Sequence, residues 1–171
     1  GALGEIGDTA AVPTLIHAVG DIQPEVRKEA IIALKSFRDV NTLDRLLTTL
    51  DDEDVSVRKA TAQTLEVFGS TAVPYLLKKL RDQNPDVRRM SATIIGNIGE
   101  SIGIHLLAET ASDPDVEVRA AVIVALGKIG DSKGVPALSK TIKDLTMTKS
   151  GKTIQQLSGA ALKELGTEDA I

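Results

Sequence analysis

Ser150-Gly151-Lys152-Thr153 is the string in this sequence whose residue types come nearest to a chemical motif. It reads as the end of a phosphate-binding loop, where glycine N–H groups cradle phosphate oxygens, a lysine meets their charge and a hydroxyl holds magnesium. That motif needs a glycine five residues before Gly151 and a strand feeding the loop. Position 146 is threonine and no strand pattern precedes it, so the string reads as a solvated loop capped into the helix that follows. Gly96, Gly99 and Gly103 miss the dinucleotide-binding spacing, and helix caps explain most of them. His17 and His105 stand 88 residues apart with no His-Glu pair and no cysteine in the chain, a poor set for zinc, and both read as surface residues. Acidic residues are plentiful but recur with one another, as Asp51, Asp52, Asp54, Asp82, Asp86, Asp113 and Asp115. Catalytic groups seldom recur in every unit of a repeat, and no nucleophile is spaced to meet a base. The chain reads as a non-enzyme with no cofactor.

The recurrence belongs to the elements that carry these residues. From Val118, apolar or small residues fall at offsets 0, 4, 7, 8 and 11, as Val118, Val122, Ala125, Leu126 and Ile129, which is one stripe of a helix. The same offsets return from Val87, Val57 and Val26, and an arginine follows every anchor valine, as Arg27, Arg58, Arg88 and Arg119. A polar residue stands three places before each anchor (Gln23, Asp54, Asn84, Asp115), where it caps the helix. Gly69, Gly99 and Gly130 follow the last stripe residue, as a left-handed terminal turn requires. Arg38 holds that place in the first full copy, so its turn is expected to differ. A shorter first helix opens near Val12-Pro13, Val73-Pro74 and Val135-Pro136, proline being tolerated where N–H groups lack partners.

A two-helix unit with D-x-x-V-R opening its second helix, A-x-x-A-L-G-x-I-G-D closing it and V-P-x-L in the first resembles the short HEAT-like repeats of the phycobilisome-lyase type. The resemblance spans about residues 1–144 and is closest over 111–142. It implies an all-α fold, an α-solenoid wound as a right-handed superhelix from about five two-helix repeats of roughly 30 residues. The units are a partial repeat over 1–20, full repeats over 21–50, 51–80, 81–110 and 111–144, and a degenerate terminal repeat over 145–171, together one domain. Ala2-Leu3-Gly4-Glu5-Ile6-Gly7-Asp8 matches the closing motif, so the chain is expected to be a piece of a longer protein. After Asp144 the Val-Arg pair is replaced by a longer loop, read as a degenerate end repeat in preference to a loop lengthened for a contact.

The basic residues divide by angle on the second helix. Offset 1 flanks the stripe, so Arg27, Arg58, Arg88 and Arg119 are expected to face the neighbouring repeat and pair with linker carboxylates. Offsets 2, 6 and 9 point away from it. By the resemblance these line the concave face: Lys28, Ile32 and Lys35, then Lys59, Gln63 and Glu66, then Arg89, Thr93 and Gly96, then Ala120, Val124 and Gly127. Lys28, Lys59 and Arg89 are expected to form a basic row there. The partner this fits is a protein or peptide, acidic at one end and apolar at the other. A net charge of −4 and an aromatic content of 2% disfavour nucleic acid, and no apolar run reaches the roughly 18 residues of a membrane span. The expectation is a cytoplasmic scaffold or adaptor of unstated oligomeric state. The alternative is part of a HEAT-type enzyme, such as a bilin-lyase-like protein, with its activity placed partly upstream; nucleic-acid binding comes third.

Overall fold

A computed structural model describes residues 9–167; the half-helix expected at Ala2–Asp8 lies outside that range. Among the described residues ten α-helices follow one another and no strand forms, beyond an isolated antiparallel bridge between Met147 and Thr153. In chain order they are α1 (Val12–Ala18), α2 (Pro24–Phe37), α3 (Leu43–Leu47), α4 (Val55–Phe68), α5 (Val73–Lys79), α6 (Pro85–Ile98), α7 (Ile104–Glu109), α8 (Val116–Ile129), α9 (Val135–Thr141) and α10 (Ile154–Glu164). Short first helices thus alternate with long second helices, and the fold class is the all-α, HEAT-like solenoid type. No helix among the described residues is long and apolar enough to cross a membrane.

The long helices begin where polar caps stand. Asp54 accepts from the N–H groups of Ser56 and Val57, Asn84 from Asp86, and Asp115 from Glu117 and Val118, satisfying donors that a first helical turn leaves unpaired. Gln23 occupies the cap position of α2 without a side-chain bond. Thr153 caps α10 in a reciprocal box with Gln156, which is the role expected of the 150–153 string.

The apolar stripe is the core. Leu34, Leu65, Ile95 and Leu126, all at offset 8, are 0 or 1% exposed. Ile31, Ala92 and Ile123, at offset 5, are fully buried as well, widening the buried face beyond the stripe. Buried hydroxyls tie first helices to second ones: Thr49 Oγ1 lies 2.6 Å from Thr61 Oγ1, and Thr141 Oγ1 lies 2.7 Å from Ser158 Oγ.

The helices gather into two compact units that divide between Tyr75 and Leu76, inside α5. In the first, α2 packs along α4 and α1 lies against α2. In the second, α8 is flanked by α6 and α10, and α9 packs on α10.

Two turn expectations are corrected. Arg38 takes φ 48° and ψ 33°, the same left-handed geometry as Gly99 and Gly130, so the first copy does not turn differently. The odd one is Gly69, whose φ of 58° comes with ψ of −137° as the chain enters a 3-10 turn; only glycine adopts such a backbone readily. Arg38 is the one non-glycine residue with positive φ among those described, and left-handed geometry costs an L-residue about 1–2 kcal/mol. Arg38→Gly is expected to raise stability by about 1 kcal/mol, read as a higher urea midpoint at unchanged slope.

Candidate functional site

Three of the four arginines after the anchor valines, Arg27, Arg88 and Arg119, form rungs between repeats, and the carboxylate pairing expected of Arg58 is not among the salt bridges of the described residues. Arg27 donates from Nε and Nη2 to the two carboxylate oxygens of Asp52, both at 2.7 Å. Arg88 holds Asp113 in the same way at 2.7 and 2.9 Å, and Arg119 Nε reaches Asp144 at 3.0 Å. Asp52 and Asp113 stand five residues before the next anchor and Asp144 ten before Ile154, and the Oδ1 of each also takes an N–H from two residues on, Asp54, Asp115 or Thr146 respectively. The remaining guanidinium nitrogen, Nη1, donates to two carbonyls of the arginine's own linker: Asp21 and Ile22 for Arg27, Asp82 and Gln83 for Arg88, Asp113 and Pro114 for Arg119. Arg58 makes the same carbonyl pair with Asp52 and Glu53. The Arg88 and Asp113 side chains are 13% and 7% exposed, so this pair is largely withdrawn from water. Donating to the Asp52 and Asp113 carboxylates raises the pKa values of Arg27 and Arg88 respectively. These arginines are structural.

In the first unit that set lies on α2 and α4. Lys35, Lys59 and Gln63 are exposed, Lys28 and Glu66 half-buried, and Ile32 is 40% exposed between its two lysines. Among the described residues no salt bridge engages Lys28, Lys35 or Lys59.

In the second unit Arg89, Thr93, Ala120 and Val124 line one groove of about 250 Å³. Arg89 is tied to Asp86 at 3.1 Å within its own helix. The expected basic row is therefore divided, with Lys28 and Lys59 in the first unit and Arg89 in the second.

Offset 9 is not open here. A side chain on Gly96 would meet the Cα and Cβ of Ala125 at 2.6 Å, and one on Gly127 would meet Ala161 Cβ at 3.0 Å. Both glycines are buried where long helices approach closely, so the concave placement of Gly96 and Gly127 is corrected, and so is the cap explanation for Gly96.

Glu117, Lys128, Ser150 and Leu157 also line the groove, and the sequence pattern places none of the four at a binding face, Ser150 falling in what reads as a solvated loop. Glu117 stands in the first turn of α8, where an acid is favourable to the helix dipole. Ser150 enters because residues 147–153 fold back as a tight hairpin: Thr148 N–H meets the Lys152 carbonyl at 2.9 Å, Thr148 is buried, and Lys149 N–H donates to Glu117 Oε1 at 2.6 Å. The segment after Asp144 contributes a helix and a hairpin. Its helix α10 rebuilds the second-helix position, and its hairpin makes a contact, with α8.

His17 and His105 are exposed, and among the described residues no group of three or more His, Cys, Asp or Glu side chains is placed to hold a metal.

Comparison with known proteins agrees with this geometry. The family model for HEAT repeats matches residues 1–66 and 73–148. The chain belongs to the HEAT-repeat family. This HEAT-repeat chain is 26% identical over 89 residues to the uncharacterized phycocyanin operon protein Z of Pseudanabaena tenuis, a match covering 52% of the chain and 44% of that relative. It therefore spans less than half the length of the curated relative. Among solved structures it resembles an engineered protein (TM-score 0.56, 21% identity, 90% of this chain and 78% of that one). It also resembles human deoxyhypusine hydroxylase (0.54, 18%, 96% and 76%) and a designed armadillo repeat protein in complex with the peptide (KR)4 (0.54, 19%, 96% and 90%). At these identities the likeness is one of fold.

The two basic sets should separate on mutation. Arg88→Ala strands the Asp113 carboxylate and two carbonyls and is expected to cost about 3 kcal/mol, whereas Arg89→Ala, losing a surface pair, should cost under about 1 kcal/mol; urea denaturation of both variants compares them. A second expectation concerns acid. Asp82 is held below its ordinary 3.8 chiefly by the Asn84 N–H, Asp144 chiefly by the Thr146 hydroxyl, Asp54 by the Ser56 hydroxyl and Asp131 by the Lys133 N–H. A carboxylate whose pKa is lower in the folded chain stabilises it fully above the unfolded pKa and loses that contribution as pH falls through the folded one. The melting temperature should hold from pH 7 to about 5 and fall below about 4.

Proposed function

We propose that this HEAT-repeat chain is a protein-interaction module whose second-helix faces hold a segment of a partner protein, with Lys28, Lys35 and Lys59 taking acidic residues and Ile32 an apolar one. The observation that carries the reading is the state of these lysines. They project from adjacent helices without a salt bridge among the described residues, while Arg27 and Arg58, each one residue before a lysine of the set, are committed to a carboxylate and to carbonyls. Unpaired like charges on one face reinforce each other's field and speed the approach of an opposite charge. The designed armadillo protein of similar fold was solved with a basic peptide; the face described here has the opposite preference.

A non-catalytic role goes with this proposal. A second reading, from the resemblance to phycobilisome-lyase-type repeats and compatible with the phycocyanin-operon relative, is that the chain forms part of a HEAT-type enzyme such as a bilin-lyase-like protein, with its activity placed partly upstream.

The test uses a fluorescein-labelled (Asp-Glu)4 peptide with (Lys-Arg)4 as control, followed by anisotropy. The acidic peptide should bind preferentially, and Lys28→Glu with Lys59→Glu should weaken it about tenfold or more while melting stays close to that of the parent, since exposed charges contribute about 1 kcal/mol or less. Undiminished binding by the double variant sinks the lysine face. Titration of a free bilin in parallel should leave its absorbance spectrum unchanged, and a shifted spectrum would favour the second reading.

A further inference from the structure

The groove of the second unit has ends of opposite charge. Its floor along α8 is Ala120, Ala121 and Val124, with Val124 42% exposed. At the N-terminal end of α8 stands Glu117, which also lines an adjoining cavity of about 330 Å³ with Asp86, Arg89, Asp115 and Lys149. That end carries three carboxylates against two cations, and its charges are unequally engaged. Arg89 is spent on Asp86, Asp115 caps α8 through Oδ1, and Glu117 gives only Oε1 to the Lys149 N–H. At the other end Lys128 is exposed, its Nζ donating to the neutral Asn97 Oδ1 at 2.7 Å.

Glu117 and Lys128 are eleven residues apart on one helix, about 16 Å at 1.5 Å per residue. An extended strand covers that length in about five residues. The floor is shallow because the residues facing up from α8 are small, so it admits a peptide backbone with one aliphatic side chain over Ala120 and Val124. The 147–153 hairpin, pinned on Glu117 and bringing Ser150 to the groove, walls one side.

Resting on the reading of the chain as an interaction module, we propose that this trough recognises an extended segment of about five residues in a partner protein, with a cationic side chain at the Glu117 end, an aliphatic one in the middle and a carboxylate at the Lys128 end. The occupant is thus distinct in charge pattern from the acidic stretch assigned to the first unit. Opposite charges at the two ends also set the direction in which a given sequence lies, because reversing it places like charges together.

The test is a charge swap read by fluorescence anisotropy. The probe is a labelled peptide with an Ala-Leu-Ala core between one lysine and one glutamate, flanked by glycine and serine. Glu117→Lys is expected to weaken it about tenfold, and a peptide with glutamate at both ends should recover the loss. Lys128→Glu, a change at an exposed side chain that leaves the hairpin contact in place, should weaken the same probe and be rescued by a peptide with lysine at both ends. Loss without rescue in both variants, or affinity indifferent to both, overturns the trough. Lys28→Glu with Lys59→Glu should leave the swap pattern unchanged. A chain that binds (Asp-Glu)4 through those lysines but shows no swap loses the trough alone, whereas failure to bind either kind of peptide removes both readings.

Discussion

A single guanidinium, donating at once to a carboxylate of the next repeat and to two carbonyls of its own linker, is the contact on which the repeat geometry depends. Arg27, Arg88 and Arg119 each make it. The planar fork of arginine suits the role because Nε and Nη2 can meet both carboxylate oxygens while Nη1 points the other way. The carboxylate it holds is also the residue whose Oδ1 takes an N–H at the start of the following linker. One repeat therefore dictates where the next linker turns. Such a partly buried pair adds modest net stability, since desolvation offsets much of the attraction, but losing one member leaves a stranded charge. Its contribution is chiefly geometric, and this explains why both residues return with the period.

Close approach of the long helices is the second constraint. Gly96 against Ala125 and Gly127 against Ala161 leave no room for a further side-chain atom, and small residues continue along α8 through Ala120 and Ala121. The same choice that lets these helices pack leaves a trough on their outer side, because an alanine that permits contact below cannot fill space above. In the first unit the equivalent face carries Lys28, Ile32, Lys35 and Lys59, so it presents charge where the second unit presents a floor.

The segment after Asp144 keeps the stripe with altered parts. Ile154, Ser158, Ala161 and Leu162 are buried at the stripe offsets, yet Gln155 stands where an arginine would follow the anchor, and its N–H goes to the Asp144 carbonyl at 2.7 Å. The rung is not passed on by this residue. The length gained in the linker is spent on the hairpin, held by main-chain and hydroxyl contacts internal to it and by Glu117.

The sequence by itself determined the helix pairs, most of their caps, the buried stripe and the carboxylate pairing of Arg27, Arg88 and Arg119, though not of Arg58, because each follows from local periodicity or from a residue type recurring at a constant interval. A 3.6-residue period shows which side of a helix is apolar, and a recurring Arg and Asp show that they serve the repeat. Tertiary structure alone decided the rest. Whether offset 9 faces solvent or a neighbour depends on how near the next helix lies, which is why Gly96 and Gly127 were misplaced. Whether Arg38 could turn as glycine does depended on the surroundings bearing the strain. The hairpin reaches Glu117 across 32 residues of chain, and no local pattern encodes a contact made once, without repetition. The trough is of that kind, since its ends and floor lie along α8 while its walls come from α6 and the 147–153 hairpin, which only packing brings against it.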